Sequence, residues 1–311
     1  MGRVLAGAGG WGYFAGGLPA YARAFPFVEV NVTFYRRVAE TVAGRWRSLA
    51  PREFVFSVKA NRDVTHRARL RPTPAARAAF AHDLRIARIL DAPYVVLETP
   101  ASLPLGPEEV AGLRDLVAMA DDRPRIGLEA RAHAGRPLPV GVRRAMEDGG
   151  VVDVVDVSRA APRVTTDVVY ARLFGKGERN AYEFDDEELR AIDRAGRDAV
   201  EVAFAFHGVR MYKDAARFLT FRRTGRFPQA TEAVGLGSLE AVLREDARFP
   251  STRAELVAHQ GWKVVDLDAS TRAHAGEILS RLPDRPFGDL REVLEASAQV
   301  LGGPFPGRSQ A

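Results

Sequence analysis

Glu53–Leu97 reads EFVFSVKANRDVTHRARLRPTPAARAAFAHDLRIARILDAPYVVL. Its two ends, Glu53–Val58 and Pro93–Leu97, are short runs rich in β-branched and aromatic residues, bounded by turn-forming or charged neighbours, as strands are. Between them, Pro74–Leu90 carries Ala76, Phe80, Leu84, Ala87 and Ile89 at roughly helical spacing, with Pro74 where a first-turn proline is tolerated. Both strands are nearly continuous apolar runs, the pattern of parallel strands covered on both faces. The stretch is therefore one strand–helix–strand unit.

The same alternation continues on either side. Further strands are expected at Val4–Gly7, Phe27–Val32, Arg125–Leu128, Val151–Val157, Val168–Phe174 and Val200–Phe206. Helices are expected at Pro19–Ala24, Ala39–Leu49, Pro107–Ala120, Val140–Glu147, Asp186–Arg197 and Tyr212–Thr224. Eight strands alternating with helices over about 225 residues predict an α/β fold of the (β/α)8 TIM-like barrel type. An open doubly wound sheet would want a glycine fingerprint in the first turn. Gly7, Gly9, Gly10 and Gly12 crowd that turn, but Trp11 and Tyr13 interrupt the G-x-G-x-x-G spacing, so no dinucleotide cofactor is expected. After Pro228 the pattern changes. We read 1–228 as the barrel, 229–237 as a linker, 238–298 as a small, mostly helical domain and 299–311 as a tail, with short helices at Leu239–Arg244, Arg253–Gln260, His274–Leu282 and Leu290–Ala296.

Composition narrows the class. The 311 residues are 46% hydrophobic and 27% charged, those of an ordinary folded protein. No apolar run approaches the ~20 residues of a transmembrane helix, so no membrane association is expected. The N-terminal stretch lacks the pattern of a secretory signal, which predicts a cytoplasmic protein. The absence of cysteine excludes disulfides, thiolate metal sites and cysteine nucleophiles. A net charge of +5 leaves nucleic acid possible as a partner. Yet only four of the 45 basic residues are lysine, acidic residues are interspersed among them, and a mixed solvated surface explains the balance as well.

In a (β/α)8 barrel the catalytic groups come from the C-terminal ends of strands. Those ends carry Glu29 and Asn31, then Lys59, Glu98, Glu129 with Arg131, Asp156, Arg172 and finally His207. Buried charges are costly unless paired, so ion pairs such as Lys59–Glu98 or Arg131–Asp156 closing the barrel are the plain alternative to a functional pocket. A functional pocket would use Glu98, Glu129, Asp156 and Lys59 in catalysis. Trp11, Glu29, Asn31, Tyr35, His66, Arg131, Arg172 and His207 would bind substrate. Carboxylates with unequal neighbours suit acid/base work, while the arginines suit an anionic ligand. A divalent metal among Glu98, Glu129, Asp156 and His207 is also possible. Trp11 and Tyr35 could stack on a sugar or base ring, or simply pack over the barrel end. For His82, His133, His259 and His274 the sequence offers no evident partner.

The motif residues resemble the YecE-like family, domain of unknown function 72. The resemblance runs from about Arg3 to Pro228 and rests on Gly10-Trp11-Gly12-Tyr13, Glu29-Val30-Asn31 into Thr33-Phe34-Tyr35, Glu40-Thr41-Val42, Trp46, Phe56-Ser57-Val58-Lys59-Ala60 and Thr65-His66. It implies a TIM barrel similar in outline to sugar isomerases and endonuclease IV, without an established reaction. Several positions depart from the family pattern. Glu98 replaces a glutamine, Ala132 and Phe174 each replace a histidine, and His207 stands in the segment that is asparagine-rich elsewhere. Residues Phe249-Pro250-Ser251, Glu255-Leu256, Leu279, Leu282-Pro283 and Val293-Leu294 resemble a second small family, domain of unknown function 2795, implying partner contact or packing. The expected function is thus an enzyme of the hydrolase or isomerase type, with a small anionic or sugar-like ligand. Nucleic-acid processing, or a scaffold that holds a protein partner through the C-terminal domain, is the alternative.

Overall fold

The computed structural model describes residues 2–121 and 123–302. Eight strands form one sheet among them: β1 (Arg3–Ala8), β2 (Phe27–Val30), β3 (Val55–Lys59), β4 (Tyr94–Glu98), β5 (Arg125–Glu129), β6 (Val152–Asp153), β7 (Val168–Leu173) and β8 (Glu201–Phe206). Every neighbouring pair in the order β6-β5-β4-β3-β2-β1-β8-β7 is parallel. The seam between β6 and β7 is closed by one bridge, Val155 with Ala171, in which Arg172 donates its amide to the Val155 carbonyl at 3.0 Å. The fold is a TIM-like barrel.

The expected strand Val151–Val157 is cut to two residues for a local reason. Asp153 is buried and takes Arg163 in a two-pronged ion pair, at 2.9 and 2.6 Å. Val154 still donates to the Leu128 carbonyl, but Val155 turns to pair with β7. A ladder needs consecutive residues facing one partner, and here successive residues face different ones.

Each helix follows from its sequence. In α4 (Pro74–Leu90), Thr73 caps the first turn by accepting the Ala76 amide at 3.2 Å, Pro74 occupies the first helical position, and Asp91 ends the helix in the left-handed region at φ 52°. Its buried face carries Ala76, Phe80, Leu84 and Ala87. α3 (Glu40–Leu49), α5 (Pro107–Ala120), α6 (Val140–Asp148), α7 (Asp186–Ala195) and α8 (Met211–Thr224) fill the other positions close to their expected bounds, after α1 (Gly17–Ala24) and a one-turn helix α2 (Val32–Tyr35).

Strand parity decides what enters the barrel, because alternate side chains point to opposite faces. Leu5, Phe27, Val55, Tyr94, Val96, Val152, Val154, Val168, Tyr170, Ala203 and Ala205 form one buried apolar cluster. Two residues beyond Phe27, Val96 and Tyr170, the same parity brings in Glu29, Glu98 and Arg172. At the N-terminal end the interior is closed by Glu201, which pairs with Arg3 at 3.2 Å and accepts the Tyr94 hydroxyl.

The chain divides into two compact units, Met1–Lys176 with Ala191–Leu219, and Gly177–Arg190 with Thr220–Ala311. The sequence suggested one boundary after residue 228. The segment after β7 instead belongs with the C-terminal unit, where Glu183 accepts the Val264 amide at 3.1 Å and Asp186 pairs with Arg272 at 3.0 Å. That unit contains α9 (Leu236–Arg244), α10 (Arg253–Gln260), α11 (Ala275–Leu279) and α12 (Leu290–Leu301) around Leu239, Leu243, Leu256, Ile278, Leu282 and Val293. Two small antiparallel pairs accompany them: β9 (Ser251–Thr252) with β12 (Pro286–Phe287), and β10 (Val264–Asp266) with β11 (Arg272–His274). His274 ends β11 and is at the same time the N-cap of α11, which is shorter than expected and stops at Leu279. Residues 299–301 of the expected tail continue α12, and 303–311 lie outside the described residues. Among the described residues, no helix is long and apolar enough to cross a membrane.

Candidate functional site

Arg172 is the centre of the barrel's C-terminal end. Its side chain is 2% exposed, and it reaches three carboxylates: Glu29 through Nε at 3.2 Å, and Glu98 and Glu129 both through Nη1. Glu98 and Glu129 are direct partners in the β4–β5 register. Two like charges placed opposite one another are destabilising, and the guanidinium between them removes the conflict.

The other cations complete the set. Lys59 Nζ lies 2.8 Å from Glu98 Oε2 and 4.0 Å from the centre of the Phe34 ring. Arg131, whose side chain is 46% exposed, reaches Glu98 Oε1 at 3.4 Å. Below this layer the Tyr170 hydroxyl donates to Glu29 Oε2 at 2.9 Å and lies 2.6 Å from Ser57 Oγ. Three carboxylates thus face three cationic side chains.

His207 follows β8 directly, with Nε2 3.3 Å from Glu29 Oε1 and its ring stacked on Phe174 at 4.8 Å. Asn31 donates to the Gly9 carbonyl at 2.8 Å and approaches His207 Nδ1 at 3.5 Å. A Cβ on Gly9 would come within 2.2 Å of the His207 ring, so only glycine permits this approach.

The charges hold one another in place. Burial alone would push Glu29 and Glu98 upward, but Arg172, joined by His207 at Glu29 and by Lys59 at Glu98, brings both below the usual carboxylate range. Burial works against the Arg172 cation, yet the three carboxylates hold its pKa well above the ordinary arginine value. Lys59 is lowered by burial and by Arg172, against the opposing pull of Glu98 and Glu29. Burial and Arg172 also lower His207, favouring the neutral ring. His66 is lowered by burial despite Glu98 nearby; it packs edge-on against Phe34 at 4.9 Å, and its Nδ1 is 2.9 Å from Thr65 Oγ1.

The sequence-derived candidates are therefore sorted. Glu29, Lys59, Glu98, Glu129, Arg131, Arg172 and His207 form one connected cluster, with Asn31 against His207 and His66 on the Phe34 ring that also carries Lys59. The expected pair Lys59–Glu98 is present. Arg131, however, pairs with Glu98 and not with Asp156. Asp156 itself braces loops: Oδ1 accepts the Ser158 amide and hydroxyl, and Oδ2 accepts the amides of Phe174 and Gly175 at 2.9 and 3.0 Å. Its short strand ends at Asp153, so residue 156 already lies in the turn. Trp11 packs edge-on against Trp46 at 5.2 Å and Phe56 at 6.4 Å, the packing role. Tyr35 is 63% exposed beside Phe34.

The divalent-metal set of Glu98, Glu129, Asp156 and His207 is not assembled, since the Arg172 guanidinium already lies between the two glutamates and Asp156 faces backbone amides. Tyr170 and Ser57, inside apolar runs, are not among the sequence-derived candidates, and Phe34 and Phe174 enter as motif positions without a site role. The signal for Tyr170 and Ser57 was parity, because they stand two residues before Arg172 and Lys59.

A profile described as protein of unknown function DUF72 matches residues 14–229. The chain belongs to the DUF72 family. A DUF72 family protein from Thermotoga maritima is similar at 17% identity and a TM-score of 0.57, covering 71% of this chain and 99% of its own. One from Enterococcus faecalis gives 15% identity, a TM-score of 0.57, and coverages of 72% and 98%. At such identity the likeness concerns the fold. A search of curated proteins returns no match. Within this DUF72 chain, Phe174, at a position expected to hold histidine, supplies the face on which His207 stacks, and lies 5.4 Å from the Arg172 guanidinium carbon.

Proposed function

We propose that the C-terminal end of this DUF72 barrel is the active site of an enzyme that moves a proton on a small sugar-like substrate, an isomerase or, secondarily, a hydrolase. The observation that carries the reading is the buried charge cluster itself. It draws ionisable side chains from β2, β3, β4, β5 and β7 to one end of a barrel, directly beyond a buried apolar cluster.

Charge balance favours a hydroxylated neutral ligand over a bare anion. Glu29, Glu98 and Glu129 already match Lys59, Arg131 and Arg172, so a phosphate would have to displace a carboxylate from a cation. A sugar offers donors and acceptors to both signs without altering the balance. Glu129 is the most exposed of the three carboxylates, at 15% of its side chain, and is the candidate base. Arg172 and Lys59 would stabilise oxygen charge developing as a proton leaves the neighbouring carbon. Glu98 serves all three cations, so it is an ionised anchor rather than the proton donor. Lys59, whose pKa is lowered, fits the acid role, whereas His66, lowered from an already near-neutral value, is uncharged at pH 7 and does not. A nucleic-acid ligand is the competing reading, supported by the net charge of +5 and by half-exposed Arg131. The C-terminal domain, with its resemblance to domain of unknown function 2795, would serve partner contact.

The test is a melting-temperature screen with neutral aldoses and ketoses, their phosphates, and labelled DNA and RNA, run on wild type, Glu129→Gln and Arg131→Ala. Stabilisation by neutral sugars, weakened in both variants, is the expected result. Salt-dependent nucleic-acid binding lost in Arg131→Ala, with no response to sugars, would overturn the proposal in favour of its competitor.

A further inference from the structure

In the C-terminal unit, Asp185, Glu188 and His274 each offer a ligand atom, all within 4.8 Å of one another. The cluster takes no part in the barrel-end chemistry. Asp185 and Glu188 bracket the start of α7, while His274 ends β11. Their side chains are partly shielded, at 21%, 13% and 18% exposure in that order.

Helix capping explains part of this arrangement. Asp185 Oδ1 accepts the Glu188 amide at 2.8 Å, and Glu188 Oε2 accepts the Asp185 amide at 3.1 Å, a reciprocal cap. Tyr182 donates its hydroxyl to Glu188 Oε1. Capping does not require a histidine, and it does not use Asp185 Oδ2.

The histidine is set up as a ligand. His274 Nε2 lies 2.9 Å from the Glu183 carbonyl oxygen. A carbonyl only accepts, so Nε2 carries the proton, and in the neutral ring Nδ1 bears the lone pair. That lone pair faces Asp185 Oδ2 at 3.7 Å, beyond hydrogen-bond reach. Two electron-pair donors at this separation match the edge of a coordination polyhedron. Metal–ligand bonds of about 2.0–2.2 Å place adjacent ligands roughly 3 to 4 Å apart. An imidazole whose second nitrogen is bound to a backbone carbonyl is also how proteins orient metal-binding histidines.

We propose that Asp185, Glu188 and His274 bind a divalent transition metal of the zinc or manganese class, with His274 Nδ1 and Asp185 Oδ2 as the paired ligands and Glu188 as the third. One nitrogen and two oxygens favour these ions over magnesium, which prefers oxygen alone. Three protein ligands leave at least one coordination position for water. The metal would tie the turn before α7 to the β10–β11 hairpin.

The test uses the full chain stripped with chelator and titrated with zinc chloride, manganese chloride or magnesium chloride by calorimetry, with melting temperature as a second readout. Zinc is expected to bind with one-to-one stoichiometry and raise the melting temperature. Affinity should fall at least about tenfold in His274→Ala and in Asp185→Asn, and remain in His259→Ala, which removes an exposed histidine outside the cluster. Asp185→Asn keeps the Oδ1 cap, so its metal-free melting temperature should stay near wild type, which separates lost binding from lost folding. Absence of zinc binding in the wild type would overturn the proposal and leave a helix cap beside a His274–Asp185 ion pair. Affinity unchanged in both cluster variants would also overturn it.

Discussion

Replacing Arg172 with methionine keeps an unbranched side chain of similar volume and removes the charge on which three carboxylates converge. Glu29 retains Tyr170 and His207, and Glu98 retains Lys59 at 2.8 Å and Arg131 at 3.4 Å. Glu29 is nonetheless 0% and Glu98 6% exposed, so neither can recover its lost partner from water. Glu129, more open, can rehydrate in part. Breaking a buried ion pair from one side costs about 3–5 kcal/mol. The expected loss at pH 7 lies in that range, a drop of roughly 6–20 °C in melting temperature for a unit of this size.

The pH dependence gives the sharper check. In the wild type the Glu29 and Glu98 pKa values are lowered, so their contribution is present above the unfolded value of 4.5 and is lost as pH falls through the folded values. In Arg172→Met the same carboxylates are strained when ionised and relieved when protonated. The gap between the two proteins should therefore be widest near neutral pH and close as pH falls. Urea unfolding of both proteins between pH 7 and pH 4 measures it. A gap under about 1 kcal/mol at pH 7, or one that does not change with pH, would mean that Arg172 does not hold these carboxylates in their ionised form.

Two further outcomes follow from the same layer and its support. Tyr170→Phe removes a fully buried hydroxyl between Glu29 and Ser57 and should cost about 1.5–3 kcal/mol in urea unfolding, the range for a hydrogen bond to a charged group. Asp83 is 2% exposed and holds the Asn61 amide at 2.8 Å; burial raises its pKa from 3.8 to about 7. A raised folded value means that stability falls as pH rises from about 4 to about 7, so Asp83→Asn should flatten that slope, gaining up to about 4 kcal/mol above pH 7.

The barrel was legible because its signals are periodic and repeated. Each strand run is short and apolar, and each intervening helix has an apolar stripe. Motif by motif, the residues from Gly10 to His66 also carried the family resemblance. The charged ring was legible because an ionisable residue at the end of an apolar strand is conspicuous. Its pairing was not legible. Arg131 and Asp156 appeared complementary, but Asp156 fell beyond a strand that ends at Asp153, and Arg131 turned toward Glu98. Tyr170 and Ser57 were hidden because an aromatic or small residue in an apolar run reads as core, and only parity with Arg172 and Lys59 sets them apart. The C-terminal strand pairs are two or three residues long, too short for alternation to register. His274 acquires its neighbours from a segment about 90 residues away, a distance at which a lone histidine carries no signal.

The central claim is that the Arg172 cluster supports proton transfer on a sugar-like substrate with Glu129 as base. Its most direct test is incubation of the protein with neutral aldoses and ketoses in heavy water, followed by NMR detection of deuterium at the carbon beside the carbonyl. Incorporation is expected with the wild type and at least a hundredfold less, on the order of the loss of a general base, with Glu129→Gln that remains folded at the assay temperature. Incorporation that persists in Glu129→Gln, or none with any sugar that the wild type binds, would contradict that claim.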